Sequence, residues 1–386
     1  MPTERGNVRA GRLRGGPRKL LAGMVVAGAL FAGVEGVAHV AMGPVPPSET
    51  VARIGICTVV ATGLVCPGHP ESDVRVAAND TRPRVIFLGG STVRNPFNPS
   101  PNGDFPSTVA RLLPNVDVVN LGVAGSTTAA VRMLVHTIDV LRPSLLVIQT
   151  GHNDYNMSLF RGEIHAVSLW TLPIERVLSR SWIRAWLEPM HGIRRENQPG
   201  RVLPIEDDLV LRVRADVDER FRRELTDAVR DSPAPVLVTT LLRNFDRAPT
   251  GVLTTGHPAC ADVVRVLQPT PAGLEGALLS RLDAACGRSA YGEWARAHAA
   301  SEPAEKVAAW HASLDLDVAP LRAPASADVV IRAVARETGA TLVDLAEEEG
   351  GFQPGHWFSD PLHPNGVGAE REAMVLVPLI RDALAR

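Results

Sequence analysis

The residue types best suited to joint chemistry in this chain are a serine at position 91 and an aspartate–histidine pair at 360 and 363. Ser91 follows Val85-Ile86-Phe87-Leu88-Gly89-Gly90, an apolar, partly β-branched run closed by two glycines. Such a run predicts a buried strand that turns sharply and leaves the next hydroxyl exposed at the strand's carboxyl edge. Asp360-Pro361-Leu362-His363 sets a carboxylate three residues before an imidazole. An imidazole oriented by a carboxylate through one ring nitrogen can take a serine proton with the other.

Acyl transfer through a serine also needs fixed hydrogen-bond donors for the oxyanion that forms. Two further blocks offer them. Val116-Asp117-Val118-Val119-Asn120-Leu121-Gly122-Val123-Ala124-Gly125-Ser126-Thr127-Thr128 predicts a second buried strand, a glycine turn and a helix start. Gly125 there presents a backbone N–H with no side chain in the way. Leu145-Leu146-Val147-Ile148-Gln149-Thr150-Gly151-His152-Asn153-Asp154 predicts a third strand, ending in an amide side chain at Asn153. The Ser91 N–H, the Gly125 N–H and the Asn153 amide are the expected oxyanion donors.

These residues need a scaffold that holds strand ends together. Apolar runs predict parallel strands at 84–89, 116–121, 144–150, 235–241 and 341–345. Between and after them, helical spacing predicts helices near 105–113, 127–141, 214–231, 326–339 and 366–385. Strand–helix alternation with near-continuous apolar strands predicts a three-layer α/β/α domain around a five-stranded parallel sheet. Ligands in such folds bind beyond the carboxyl ends of the strands. All the blocks above fall at such ends.

The four ordered blocks resemble those of the SGNH hydrolases, the GDSL-type esterases. The resemblance implies a flavodoxin-like strand order, with Ser91 as nucleophile and His363 as the base that Asp360 orients. It also implies Ser91, Gly125 and Asn153 as the oxyanion hole. Gly90 departs from the Gly-Asp-Ser form of the motif, and Gly-Gly-Ser-Thr resembles a frequent bacterial variant. The match covers about 84–154, 234–245 and 326–386 of the chain. Thr92, Arg243, Asn244 and Trp357 stand close enough to these blocks in sequence to be candidates for lining the substrate site, with packing beside the acid the favoured reading for Trp357. His152 and Asp154 flank the amide and are expected to secure its loop. No metal-ligand spacing is present, and neither metal nor cofactor is expected.

Outside these blocks the chain divides into a basic segment at 1–19, an apolar stretch at 20–42, a stem at 43–83, and the catalytic domain at 84–386. Residues 1–19 carry six Lys/Arg against one Glu, which leaves 34 basic and 41 acidic residues in the rest. That balance, with 4% aromatics, argues against a nucleic-acid surface on the body. The stretch Leu20–Met42 is 23 residues long, about 35 Å as a helix, enough for a hydrocarbon core of about 30 Å. A single-pass anchor with the domain outside the cytoplasmic membrane is expected; secretion after cleavage of a signal peptide is the alternative. Cys57, Cys66, Cys260 and Cys286 suit an oxidising compartment; of three pairings the two local ones are favoured. Insertions at 155–213 and 246–325 are expected to form a wall over the site and a helical cap. An extracytoplasmic esterase acting on an O-acyl ester of a glycan or lipid, O-acetyl included, is the leading expectation. An envelope O-acyltransferase and a non-catalytic interaction protein on the same scaffold are the alternatives.

Overall fold

The computed structural model describes residues 33, 58–60, 62–65, 73–77, 80–95, 103–156, 207–249, 280–281, 284–285, 288–317 and 320–386. Residues 49–167 and 199–386 belong to one compact unit. Its first elements are the short strands β1 (Thr58–Val60), β2 (Gly63–Val65) and β3 (Val74–Arg75), followed by β4 (Arg84–Gly89). Then come α1 (Ser91–Arg94), α2 (Phe105–Leu112), β5 (Asp117–Asn120), α3 (Thr128–Val135), β6 (Leu145–Gln149) and α4 (His152–Tyr155). After them run α5 (Asp207–Arg230), β7 (Val236–Thr239), α6 (Ala290–Ala299) and α7 (Pro303–Leu316). The chain closes with α8 (Ala325–Thr338), β8 (Thr341–Val343) and α9 (Gly366–Leu384).

Strands β4 to β8 form one sheet in the order β5-β4-β6-β7-β8, every pair parallel. Alternate residues of a strand point to opposite faces, and this alternation builds two cores. Ile86 and Leu88 of β4 pack with Val131 and Leu134 of α3, Phe221 and Leu225 of α5 and Ile331 of α8. Val85 and Phe87 pack on the other face with Phe105 and Val109 of α2 and Ala373 and Leu376 of α9. The three-layer α/β/α architecture and the five-stranded parallel sheet expected from the sequence are present.

Two local features differ from the sequence reading. The segment expected as a stem contains the antiparallel sheet β1-β2-β3, and its Leu64 and the adjoining Val76 join the core beside Ile86. The helix expected over 127–141 stops at Val135, and a separate 3₁₀ turn covers Ile138–Leu141. Both pieces still bury apolar residues, so the periodicity persisted through a break in the backbone. The expected helical cap is present as α6 and α7, which pack Trp294 and Trp310 around Phe245.

The expected membrane stretch lies outside the described residues except for Gly33, and so do all four cysteines. Among the described residues no helix is long and apolar enough to cross a membrane. Most of the 155–213 insertion, with its expected wall over the site, also lies outside them.

Candidate active site

Strand β4 delivers Ser91 directly. The strand ends at Gly89, Gly90 is the N-cap in an extended conformation, and Ser91 is the first residue of the four-residue α1. Gly90 stands at a close approach: a Cβ there would lie 2.7 Å from Asn153 Nδ2, so a larger residue would displace that amide. The departure from Gly-Asp-Ser therefore leaves room for the amide beside the serine. Helix α1 ends at once because Asn95 turns left-handed, with φ 45°, and its N–H donates to Ser91 O at 2.6 Å.

The histidine comes from the loop before α9. Asn365 caps that helix by accepting from Val367 N–H at 2.9 Å and Gly368 N–H at 3.3 Å. Ser359 N–H donates to His363 O at 2.9 Å, closing the loop on itself. Asp360 Oδ1 accepts from the Leu362 and His363 N–H groups, each at 2.8 Å. Its other oxygen, Oδ2, accepts from His363 Nδ1 at 2.6 Å, which leaves Nε2 as the acceptor nitrogen. His363 Nε2 lies 2.8 Å from Ser91 Oγ, across 272 positions of sequence. Burial pushes the Asp360 carboxyl up, but the bonds from the imidazole and the two amides outweigh it and hold it below its ordinary value. Stability from those bonds is thus present above the usual carboxylate range and is lost as pH falls through the lowered value.

Asn153 sits on α4, at the end of β6, and lines the same small cleft as Ser91 and Thr92. One of its amide hydrogens goes to Ser126 O at 2.9 Å, which fixes the plane of the group. Gly125 is left-handed at φ +82°, as the turn into α3 needs, with open space where a Cβ would stand, and the neighbouring Ser126 lines the cleft. Asp154, buried, binds the Thr128 N–H and hydroxyl at 3.1 and 2.9 Å and so ties α4 to the start of α3. Burial raises its carboxyl to about 6 against the lowering effect of Thr128. His152 Nδ1 accepts from Ala323 N–H at 3.0 Å. Burial first, then the Arg243 guanidinium, hold that imidazole well below the usual histidine range. Both flanking residues secure the loop, as expected. Asn153→Ala is expected to lower kcat about 10²–10³-fold with little change in KM, measured by steady-state ester hydrolysis.

Three of the candidates for lining the substrate site do other work. Arg243 is buried, paired with Asp328 at 2.5 Å and bonded to the carbonyls of Ala323, Leu241 and Pro324. Asn244 faces the acid loop: its side chain donates to Asp360 O at 2.9 Å and its N–H to Pro361 O at 3.1 Å. Trp357 is buried in the core against α9. Proximity to a strand end gave no information on where these side chains point. The sequence reading also passed over Asn95, whose buried amide donates to Gly103 O at 2.7 Å and Pro364 O at 2.8 Å. That amide joins the serine turn to the histidine loop. Asn95-Pro96 was readable as a helix stop, but its partner 269 residues away was not.

The fold and site together define an α/β scaffold with a Ser–His–Asp constellation at the strand ends, an arrangement suited to acyl transfer. No family model and no curated protein matches the chain. Solved structures similar to it include a lipase/acylhydrolase from Enterococcus faecalis, at 13% identity and TM-score 0.36, covering 78% of this chain and 96% of that one. A member of the lipolytic G-D-S-L family from Veillonella parvula has 13% identity and TM-score 0.37, with 77% and 98% covered. The acetylxylan esterase Axe2 from Geobacillus stearothermophilus has 12% identity and TM-score 0.34, with 79% and 94% covered. At such scores the chemistry has to be argued from this chain's own geometry.

Proposed function

We propose that this protein is a metal-independent serine ester hydrolase that works through an acyl-enzyme. The observation that carries the reading is the bonded series Ser91 Oγ, His363 Nε2, His363 Nδ1, Asp360 Oδ2, at 2.8 and 2.6 Å. His363 takes the Ser91 proton as Oγ attacks the ester carbonyl. The oxyanion forms beside the Ser91 N–H and the Asn153 amide, while His363 returns the proton to the departing alkoxide. Water, deprotonated by the same imidazole, then releases the acid. The direct test is a fluorophosphonate probe: a mass adduct is expected on the wild type and not on Ser91→Ala, and a wild type that takes no adduct overturns the reading.

The substrate we infer is an O-acyl ester with a short acyl group, O-acetyl being the simplest. The cleft beside Ser91 is lined by Gly90, Thr92, Ser126, Gln149, Thr150, Gly151, His152 and Asn153, glycines and polar groups with no large apolar side chain. Such walls favour a short acyl chain over a long apolar one, which needs apolar surface to displace water. Across p-nitrophenyl esters from two to ten carbons, kcat/KM is expected to fall steadily; a maximum at eight or ten carbons refutes the short-chain reading. The basic segment and apolar stretch at the N-terminus support an extracytoplasmic, membrane-tethered enzyme acting on acylated glycan or lipid of the envelope.

A further inference from the structure

Glu372 is buried on α9, and the side chain it meets is Gln149, at the end of β6 and in the lining of the cleft beside Ser91. Gln149 Nε2 donates to Glu372 Oε1 at 3.1 Å. The two remaining oxygens, Glu372 Oε2 and Gln149 Oε1, are both buried without a hydrogen-bond partner. Two orphaned acceptors in one buried pair are costly, because neither can donate to the other. A single proton on Oε2 removes the conflict: it converts one acceptor into a donor and lets acid and amide close as a ring.

We propose that Glu372 is a positioning residue that acts as a neutral, proton-bearing acid, fixing Gln149 in the floor of the cleft, and that loss of its proton sets the alkaline limit of activity. The backbone gives this pair a short path to the serine. Gln149 is the β6 partner of Gly89, and Gln149 O would lie 2.1 Å from a Cβ at that glycine, two residues before Ser91. Movement at Gln149 is therefore felt in the turn that presents Oγ.

Charge does not rescue the ionised form. Among the elements packed against α9, β6 and β8 carry no ionisable side chain. Helix α2 carries Arg111, which pairs with Glu370 on the outer surface, and the turn at 355–357 carries the exposed His356. Glu370, Arg371, Arg381 and Asp382 of α9 are exposed, and Asp360 and His363 of the preceding loop bond each other. Burial accordingly raises the Glu372 carboxyl to about 8, against a smaller lowering by the Gln149 amide.

The inference deepens the esterase reading and rests on it for the activity arm alone. In the unfolded chain this carboxyl ionises near its ordinary 4.5, while the folded protein holds the proton to about 8. Between those values the native state binds the extra proton, so stability falls as pH rises through the window and levels off above it. Glu372→Gln keeps the neutral shape and has no proton to lose. Wild type and E372Q are compared from pH 5 to 9.5 by thermal melting and by kcat/KM on p-nitrophenyl acetate.

The Tm of E372Q is expected to gain on the wild type steadily up to about pH 8 and then run parallel. The wild type is expected to lose about tenfold in kcat/KM per pH unit above that value, and E372Q to lack that limb. Parallel melting curves across the whole range overturn the protonated acid. An unchanged alkaline limb in E372Q overturns its hold on activity. A wild type without esterase activity sinks the esterase reading instead, and the melting curves still decide the acid. If E372Q does not fold, carboxyl ¹³C NMR of the wild type decides: one carboxyl titrating near 8 supports the proposal, and none above 6.5 refutes it.

Discussion

Ser91→Ala is expected to lower kcat on p-nitrophenyl acetate by about 10⁴–10⁶-fold while the protein stays folded. The size follows from what the hydroxyl does. It is the atom that forms the bond to the acyl carbon, and it is the partner of His363 Nε2 at 2.8 Å. Water in its place would have to be bound, oriented and deprotonated within the same cleft, without the entropic advantage of a tethered nucleophile. Folding has little stake in this oxygen. Alanine is a good helix former at the first residue of α1, and the buried Thr92 and Val93 that seat the turn are untouched. Initial rates and circular dichroism on the two purified proteins settle the matter. Equal rates would mean that some other nucleophile carries the reaction and that the His363–Asp360 pair serves the loop alone.

The largest expected effect on stability lies at Asp328. Its carboxylate receives Arg243 Nη1 at 2.5 Å and the Leu241 N–H at 3.0 Å, with both side chains under 5% exposed. Asp328→Ala removes the counter-charge and leaves a guanidinium in the interior, which costs about 3–5 kcal/mol. The double replacement Arg243→Met with Asp328→Leu is expected to recover only part of the loss: it removes the unpaired ion, but it strips the Leu241 N–H and the carbonyls of Leu241, Ala323 and Pro324 of their partners. Urea titrations of the wild type, the single variant and the double variant test both statements. A shift of the single variant below about 1 kcal/mol is incompatible with a dry pair. Arg243 also helps keep His152 neutral, so the single variant with an uncovered guanidinium reports on the loop that carries Asn153.

The sheet was legible because its three central strands are buried on both faces. Val85-Ile86-Phe87-Leu88 and Leu145-Leu146-Val147-Ile148 leave no room for an amphipathic alternative, and their ends fall within a residue or two of the expected positions. Helix ends were harder: α5 begins at Asp207 rather than 214, and Leu209-Val210-Leu211 is a continuous apolar run without helical spacing. Ser91, Asn153, Asp360 and His363 were legible because residue type and strand-end position together suggest the chemistry. Arg243, Asn244, Asn95 and Glu372 were not, because what they do depends on partners 85, 116, 269 and 223 positions away. A side chain's direction within a packed interior is a property of the assembled layers, and one-dimensional spacing does not contain it.

The 272-residue gap between alcohol and imidazole has a consequence for the making of the protein. While the chain is being synthesised, Ser91 emerges long before its base and stays an ordinary alcohol. The histidine loop and helix α9, which seals one core over the sheet, arrive long after the serine turn. Reactivity therefore switches on in one late step. On the proposed reading, a chain cut short before residue 363 carries the serine without its base and forms no acyl-enzyme.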